Sequence, residues 1–290
     1  MTVVAPRSIQ QRRQAQRGRR LLSWIARHVV LVTLGILFVA PVVFVVLTSL
    51  MTNQQALTAS WIPNPWQWGN YLDVFRTVPL ARWFGNSTLY AGLATIFMLV
   101  SSVPAAYVLA KIKFRGSNVL FIVVIVAMLL PPQVKAVPLY VMWTKIGLTG
   151  SLWPLILPNL LGDAFSIFLL RQFFLTIPKE YVDAARIDGC GEWSVLARVI
   201  VPMARPGVAA AAIFSFFYAW NDYFGPLLYA SENPSAWPIS YALATFHSTH
   251  GTDWTITMTI TVLVILPVVV IFFFAQRVFI EGITMTGVKG

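Results

Sequence analysis

The chain has 290 residues, of which 58% are hydrophobic and 11% charged, with a net charge of +11 and a mean hydropathy of +0.73. A water-soluble domain carries roughly 25% charged residues, so a soluble globular protein is excluded; a disordered chain, which is polar and charged, is excluded on the same ground. The single cysteine, Cys190, rules out an intramolecular disulfide and a cysteine-based metal cluster.

A bilayer core takes about 20 apolar residues of helix. The basic segment 1–27 precedes the first such run, Val29–Leu50. That run is too long for a signal-peptide core, and no small-residue cleavage site follows it. Beyond Leu50 the chain enters a polar loop, where Pro63, Pro65, Trp61, Trp66 and Trp68 predict a compact segment. A second span is expected at Phe84–Ala110. A third is expected at Ser117–Pro138, interrupted by Pro131-Pro132. The fourth, Leu152–Leu170, carries Pro154, Pro158, Gly162 and Asp163, which predict a polar break near its middle. After an inner loop at 171–207, the fifth and sixth spans are expected at Val208–Leu228 and Trp254–Ala275. The fold class is therefore an all-α membrane protein with six transmembrane helices. It forms one membrane domain over 28–280, between the basic tail and a short C-terminal tail at 281–290.

Lys and Arg set the expected orientation. With both termini inside, inner segments hold 17 of them and outer loops hold four, Arg76, Arg82, Lys135 and Lys145. This bias predicts cytoplasmic termini and explains most of the excess positive charge. The tail from Arg7 to Arg27 reads first as this topology signal, second as a contact with anionic lipid; nucleic acid is not an expected partner. Trp61, Trp83, Trp143, Trp153, Trp237 and Trp254 fall near outer ends of spans, where indoles favour the headgroup level.

No phosphate-binding Gly-x-x-x-x-Gly-Lys loop, nucleophile elbow or His-Glu-x-x-His motif occurs. His247 and His250 sit three apart in an expected outer loop without a third ligand, so they read as polar loop residues. The spans carry Asp163 and Asp222 and no histidine at depth. An intramembrane enzyme would need a cluster of acid, base or metal groups there. No catalytic residue, metal site or bound cofactor is expected. A passive channel or an anchor subunit is the other rival class.

The inner loop is too long for a turn and too rich in helix formers to be unstructured. Pro178 suits the start of a helix, and Glu180 and Asp183 complement a helix N-terminus. Gly189 and Gly191 can end that helix. Val195, Leu196, Val199 and Ile200 then recur at helical spacing, with Pro202 as the expected stop. Two short surface helices result, with Ala184 and Ala185 offering a small face to a partner. The bland alternative is a hairpin that anchors the loop to lipid.

At these residues the sequence resembles the Glu-Ala-Ala loop of ABC importer permeases. The segment Asp183-Ala184-Ala185, three residues, Gly189, nine residues, then Val199-Ile200-Val201-Pro202 matches that loop in spacing, with Asp for Glu and Val for Ile and Leu. Phe84-Gly85-Asn86-Ser87, Leu130-Pro131-Pro132, Leu155-Ile156-Leu157-Pro158 and Ala219-Trp220-Asn221-Asp222 resemble segments of carbohydrate (maltose-type) importers. So does the C-terminal stretch Gly282-Ile283-Thr284 with Gly287–Gly290, and the resemblance covers nearly the whole chain.

The resemblance implies a binding-protein-dependent inner membrane component of a bacterial cytoplasmic membrane. Its implied partners are a homologous second permease, two ABC ATPase subunits that bind ATP and Mg, an extracytoplasmic substrate-binding protein, membrane lipid and a carbohydrate substrate. Glycerol-phosphate or a polyol is the alternative cargo. Asp183, Ala184, Ala185, Gly189 and Pro202 would form the coupling site for the ATPase. Thr284 and Lys289 would reach the ATPases from the C-terminal tail, unless that tail frays. Tyr218, Trp220, Asn221 and Asp222 would line the substrate path; an interhelical hydrogen bond by Asp222 is the alternative reading. The segment Ser231–Asp253, with Trp237-Pro238 and Phe246, would touch the binding protein or anchor at the interface.

Overall fold

The computed structural model describes residues 9–58, 60–249 and 253–287, and every regular element among them is helical. The chain divides into two compact units, Met1–Asn70 with Trp254–Val262, and Tyr71–Asp253 with Leu263–Gly290.

The first unit holds α1 (Ile9–Ser49), α2 (Asn53–Ala56) and the first turns of the last helix. A capping box starts α2. Gln55 N–H donates to Thr52 Oγ1 at 3.3 Å and Thr52 N–H to Gln55 Oε1 at 3.4 Å. The segment after it is compact as expected: Asn70 Nδ2 donates to the carbonyls of Ser49 and Met51 at 2.9 and 3.0 Å. Trp61, Trp66 and Trp68 stay exposed, as interfacial indoles do.

The second unit is built around α4. In chain order it contains α3 (Asn70–Thr77), α4 (Leu80–Lys111), α5 (Ser117–Leu129), α6 (Pro132–Ile146), α7 (Trp153–Ile156) and, after a 3-10 turn, α8 (Ala164–Thr176). Then come α9 (Lys179–Ile187), α10 (Glu192–Val195), a π turn at Leu196–Ile200, α11 (Val201–Met203) and α12 (Arg205–Trp220). The chain closes with α13 (Phe224–Tyr229), α14 (Ile239–Thr249) and α15 (Trp254–Gly287). One stripe of α4 is buried, through Ser87, Ala91, Ala94, Met98, Ser102 and Ala106, at spacings of three and four. Small side chains on that stripe let α8 and α12 approach closely. The outward faces of the long helices remain apolar, Phe38 and Phe274 among them, which suits hydrocarbon.

Among the described residues, four segments are long and apolar enough to cross a bilayer: Ser23–Ser49, Leu80–Lys111, Trp153–Thr176 and Trp254–Gln276. The other two expected spans are bent. The third is α5 and α6 meeting at 93°. A residue before proline avoids helical ψ, and accordingly Leu130 and Pro131 take ψ of 116° and 142°. The fifth begins at Arg205 and stops at Trp220, eight residues before the expected end at Leu228. Pro226 has no N–H to carry the helix through, and the carbonyl of Asp222 accepts from Ser240 Oγ at 2.6 Å instead. The segment Ser231–Asp253, expected as a loop, contains the 11-residue helix α14. The fourth span breaks at Gly162-Asp163, as expected, with Gly162 at φ +94°.

Candidate functional site

The hairpin between α8 and α12 follows from its own residues. Pro178 caps α9 in extended conformation, and Glu180 occupies its first turn. The helix closes in a Schellman turn: Gly189 N–H donates to Arg186 O and Cys190 N–H to Ala185 O, both at 3.0 Å. Gly189 has φ +82°, a region that β-carbon sterics deny to most residues. The expectation that this glycine makes a sharp turn holds. The second helix differs from expectation at Pro202, which does not stop it. Val201 N–H reaches back five residues to Leu196 O, and this π turn absorbs the proline before the chain breaks at Ala204. Pro202 is half-buried in α11, directly after that turn.

The two faces of the hairpin are distinct. Val182, Ala185, Val195, Leu196 and Ile200 are buried in one core with Tyr107 of α4 and Phe174 of α8. Ala185 therefore departs from the expected partner face: it packs inward, because i and i+3 from Val182 share a side of α9. Asp183, Ala184 and Gly189 face out, together with Tyr181, Ile187 and Trp193, which are 53%, 86% and 73% exposed.

Sequence reasoning missed what holds the hairpin to the bundle. Tyr107 Oη donates to Glu192 Oε2 at 2.5 Å, and Arg186 Nε donates to Glu192 Oε1 at 2.9 Å. Arg186 also pairs with Asp183 at 3.5 Å. Beside this clasp, Lys111 Nζ donates to Ile177 O at 2.5 Å and Arg171 Nε to Leu109 O at 3.1 Å, the guanidinium lying 3.8 Å over the Phe121 ring. The one local signal was Glu192 opening a helix after Gly191; Tyr107 lies 85 residues away.

Hydrogen bonds from Arg186, and then from Tyr107, hold the Glu192 carboxyl below its ordinary value of 4.5. A depressed folded-state value stabilises above the unfolded one and is lost as pH falls through the folded one. Wild-type protein should therefore lose thermal stability on acidification below about 4.5, and Glu192→Gln should flatten that acid limb. An unchanged acid limb in the variant, followed by unfolding midpoint against pH, would show that Glu192 does not carry it.

The expected substrate-path residues meet at the break between α12 and α13. Asp222 Oδ2 accepts from Tyr90 Oη at 2.9 Å, and its Oδ1 accepts from Gly225 N–H at 3.0 Å. Asp222 thus sits at a helix end, not inside a helix, and supplies the interhelical hydrogen bond weighed above. Asp163 does likewise at α8, accepting from Ser166 N–H at 2.7 Å while its own N–H donates to Ser102 Oγ at 3.0 Å. Asp163 is the N-cap of α8, and Asp222, one residue before the N-cap Tyr223, accepts from a first-turn N–H of α13. Tyr218 and Asn221 are exposed at the C-terminal end of α12, in line with Phe214. Trp220 departs from this group. It is 2% exposed, stacked on Phe216, with its indole N–H on Val264 O at 3.3 Å. It lies one, two and six residues from the exposed Asn221, Tyr218 and Phe214, not three or four, so it stands on another side of the helix and points into the bundle.

At the other end of α4, Asn86 Nδ2 donates to Ser235 O and Trp237 O at 2.9 Å, and Ser87 Oγ accepts from Ile239 N–H at 2.8 Å. Trp237 is half-buried, its ring edge-on to Tyr241. Lys289 and His250 lie outside the described residues, as do the side chains of Phe246, His247 and Thr284.

A family model, the binding-protein-dependent transport system inner membrane component, matches residues 102–284. The arabinooligosaccharides transport system permease protein AraQ of Halalkalibacterium halodurans is 32% identical over 282 residues, 93% of this chain and 98% of its own. The sn-glycerol-3-phosphate transport system permease protein UgpE of Pectobacterium atrosepticum is 30% identical, covering 89% of this chain and 95% of its own. The crystal structure of a bacterial ABC transporter involved in the import of the acidic polysaccharide alginate has a chain of the same fold. Its TM-score is 0.76 at 21% identity, over 94% of this chain and 99% of that one. The matched residues contain the clasped hairpin and both helix breaks, and the chain belongs to the binding-protein-dependent transport system inner membrane components, as a multi-pass membrane permease.

Proposed function

We propose that this chain is one permease subunit of an ATP-driven importer for a carbohydrate, forming half of the translocation pathway. A homologous permease supplies the other half. Two ATPase subunits, which hold ATP and Mg, dock on the cytoplasmic side, and an extracytoplasmic binding protein delivers the substrate. The chain itself catalyses no covalent step. The cytoplasmic placement of the hairpin and both termini rests on the distribution of Lys and Arg.

The observation that carries this reading is the hairpin's divided surface. Its inner face is packed against α4 and α8 while Asp183, Ala184, Tyr181, Ile187 and Trp193 are exposed on the outside. A lipid anchor would not place Asp183, Arg186 and Asp188 among its exposed apolar groups; a groove in a protein partner accommodates both. For cargo, the break presents the exposed Tyr218, Asn221 and Tyr223 next to the Asp222 carboxylate in the chain. Rings stack on sugar faces and amides bind hydroxyls, whereas carboxylates repel a phosphate. This favours a neutral sugar over glycerol-phosphate. The names of the relatives support the class: AraQ takes its name from arabinooligosaccharides.

The test is purification of the whole complex with its binding protein, followed by uptake of an arabino-oligosaccharide into vesicles. ATP-dependent uptake and co-purifying ATPases are expected. Gly189→Val forces a β-branched residue to φ +82°, a strain of roughly 1–2 kcal/mol, and should reduce both uptake and the bound ATPase. A variant with full uptake, or hairpin labelling from the exterior only, would contradict the docking role.

A further inference from the structure

We propose that α4 is the transmission rod of this permease, fastened to the hairpin by Tyr107–Glu192 and to the α12–α13 break by Tyr90–Asp222, so that moving the hairpin moves the break. The inference rests on the importer reading and adds the route by which motion at the ATPase side reaches the pathway.

Four observations support it. α4 is one helix from Leu80 to Lys111, continuous through Pro104, so it is about 48 Å long. Tyr90 and Tyr107 are 3% and 2% exposed, and each donates its hydroxyl to a carboxylate on another element. Such charge-assisted bonds are about twice as strong as neutral ones. The Tyr90 hydroxyl, if released, would be a buried unpaired donor, and at the hairpin end the short Tyr107–Glu192 bond, with Arg186 on the same carboxylate, ties Glu192 to α4. Each end is then secured by further contacts. Lys111 and the Leu109 carbonyl hold Ile177 and Arg171 at the hairpin end. Asn86 and Ser87 hold residues 235–239 at the other end. Asp222 passes the connection on, since Ser240 Oγ of α14 donates to its carbonyl. The rod therefore links both ends of the bundle through two tyrosines about 26 Å apart along the helix.

The experiment uses the complete transporter in vesicles and reads substrate molecules carried per ATP hydrolysed, a ratio that a lower yield of folded protein does not move. Tyr107→Phe and Tyr90→Phe should each lower this ratio about tenfold while the ATPases stay bound. If the two bonds are ends of one rod, the double variant should be no worse than the worse single one. Independent sites this far apart would multiply to about a hundredfold. Should a phenylalanine variant fail to assemble, Glu192→Ala or Asp222→Ala, each removing the acceptor of the same bond, is read in its place. A wild-type ratio in either single variant overturns the rod, as does a multiplied loss in the double. Absence of ATP-dependent uptake by the wild-type complex would instead overturn the importer reading, and the rod with it.

Discussion

Gly207→Ala is expected to destabilise the bundle by about 1–3 kcal/mol, and a leucine there to prevent folding, because the position is already in contact without a side chain. A β-carbon on Gly207 would stand 2.4 Å from Phe173 Cγ and 2.8 Å from Phe173 Cβ. Those atoms are at the root of the phenylalanine side chain, so rotation of the ring cannot clear them; α8 and α12 have to separate. Separation would reopen the core shared by α4, α8 and the hairpin, since Phe174 is fully buried next to the contact. Thermal unfolding of purified protein in detergent measures the loss. Phe173→Ala in the Gly207→Ala background should recover part of it by vacating the clash. A Gly207→Ala protein as stable as wild type would mean the two helices are free to slide apart, contrary to close packing.

Asp222→Ala should cost about 3 kcal/mol of stability, and Asp222→Asn about 1 kcal/mol. The alanine leaves two donors without acceptors, the 3%-exposed Tyr90 hydroxyl and the Gly225 N–H. Asparagine keeps an oxygen for Gly225 and places an amide opposite the Tyr90 oxygen, which can accept. Gly225 itself leaves no slack for a compensating shift, because a β-carbon there would stand 2.4 Å from Asp222 Oδ2 and 2.6 Å from Leu155 Cδ2. The order alanine worse than asparagine, in unfolding midpoint, is the expected result. Equal effects would mean that the carboxylate's charge, not its hydrogen bonds, holds the break.

Much of the hairpin between α8 and α12 was legible in the sequence because its determinants are local. Pro178, Gly189 and the apolar spacing from Val195 to Ile200 each act within a few residues, and a cap or a left-handed turn needs no distant partner. Pro131-Pro132 and Gly162-Asp163 marked breaks for the same reason. The size of the bend at Pro131-Pro132 did not follow, since proline forbids continuation of a helix without choosing the new direction.

The amino-acid order by itself determined that this is a many-span membrane protein, where two of its helices break, and that a two-helix hairpin of the importer-permease pattern lies before the fifth span. Only the tertiary structure decided which way residues face and what they hold. Ala185 and Trp220 turn inward, Tyr107 meets Glu192 across 85 residues, and Tyr90 meets Asp222 across 132. The reason is that a membrane helix is apolar on every side, so its hydropathy does not mark the buried face as it would in water. That face is chosen by close packing of small side chains and by interhelical hydrogen bonds, and both depend on which helix becomes the neighbour.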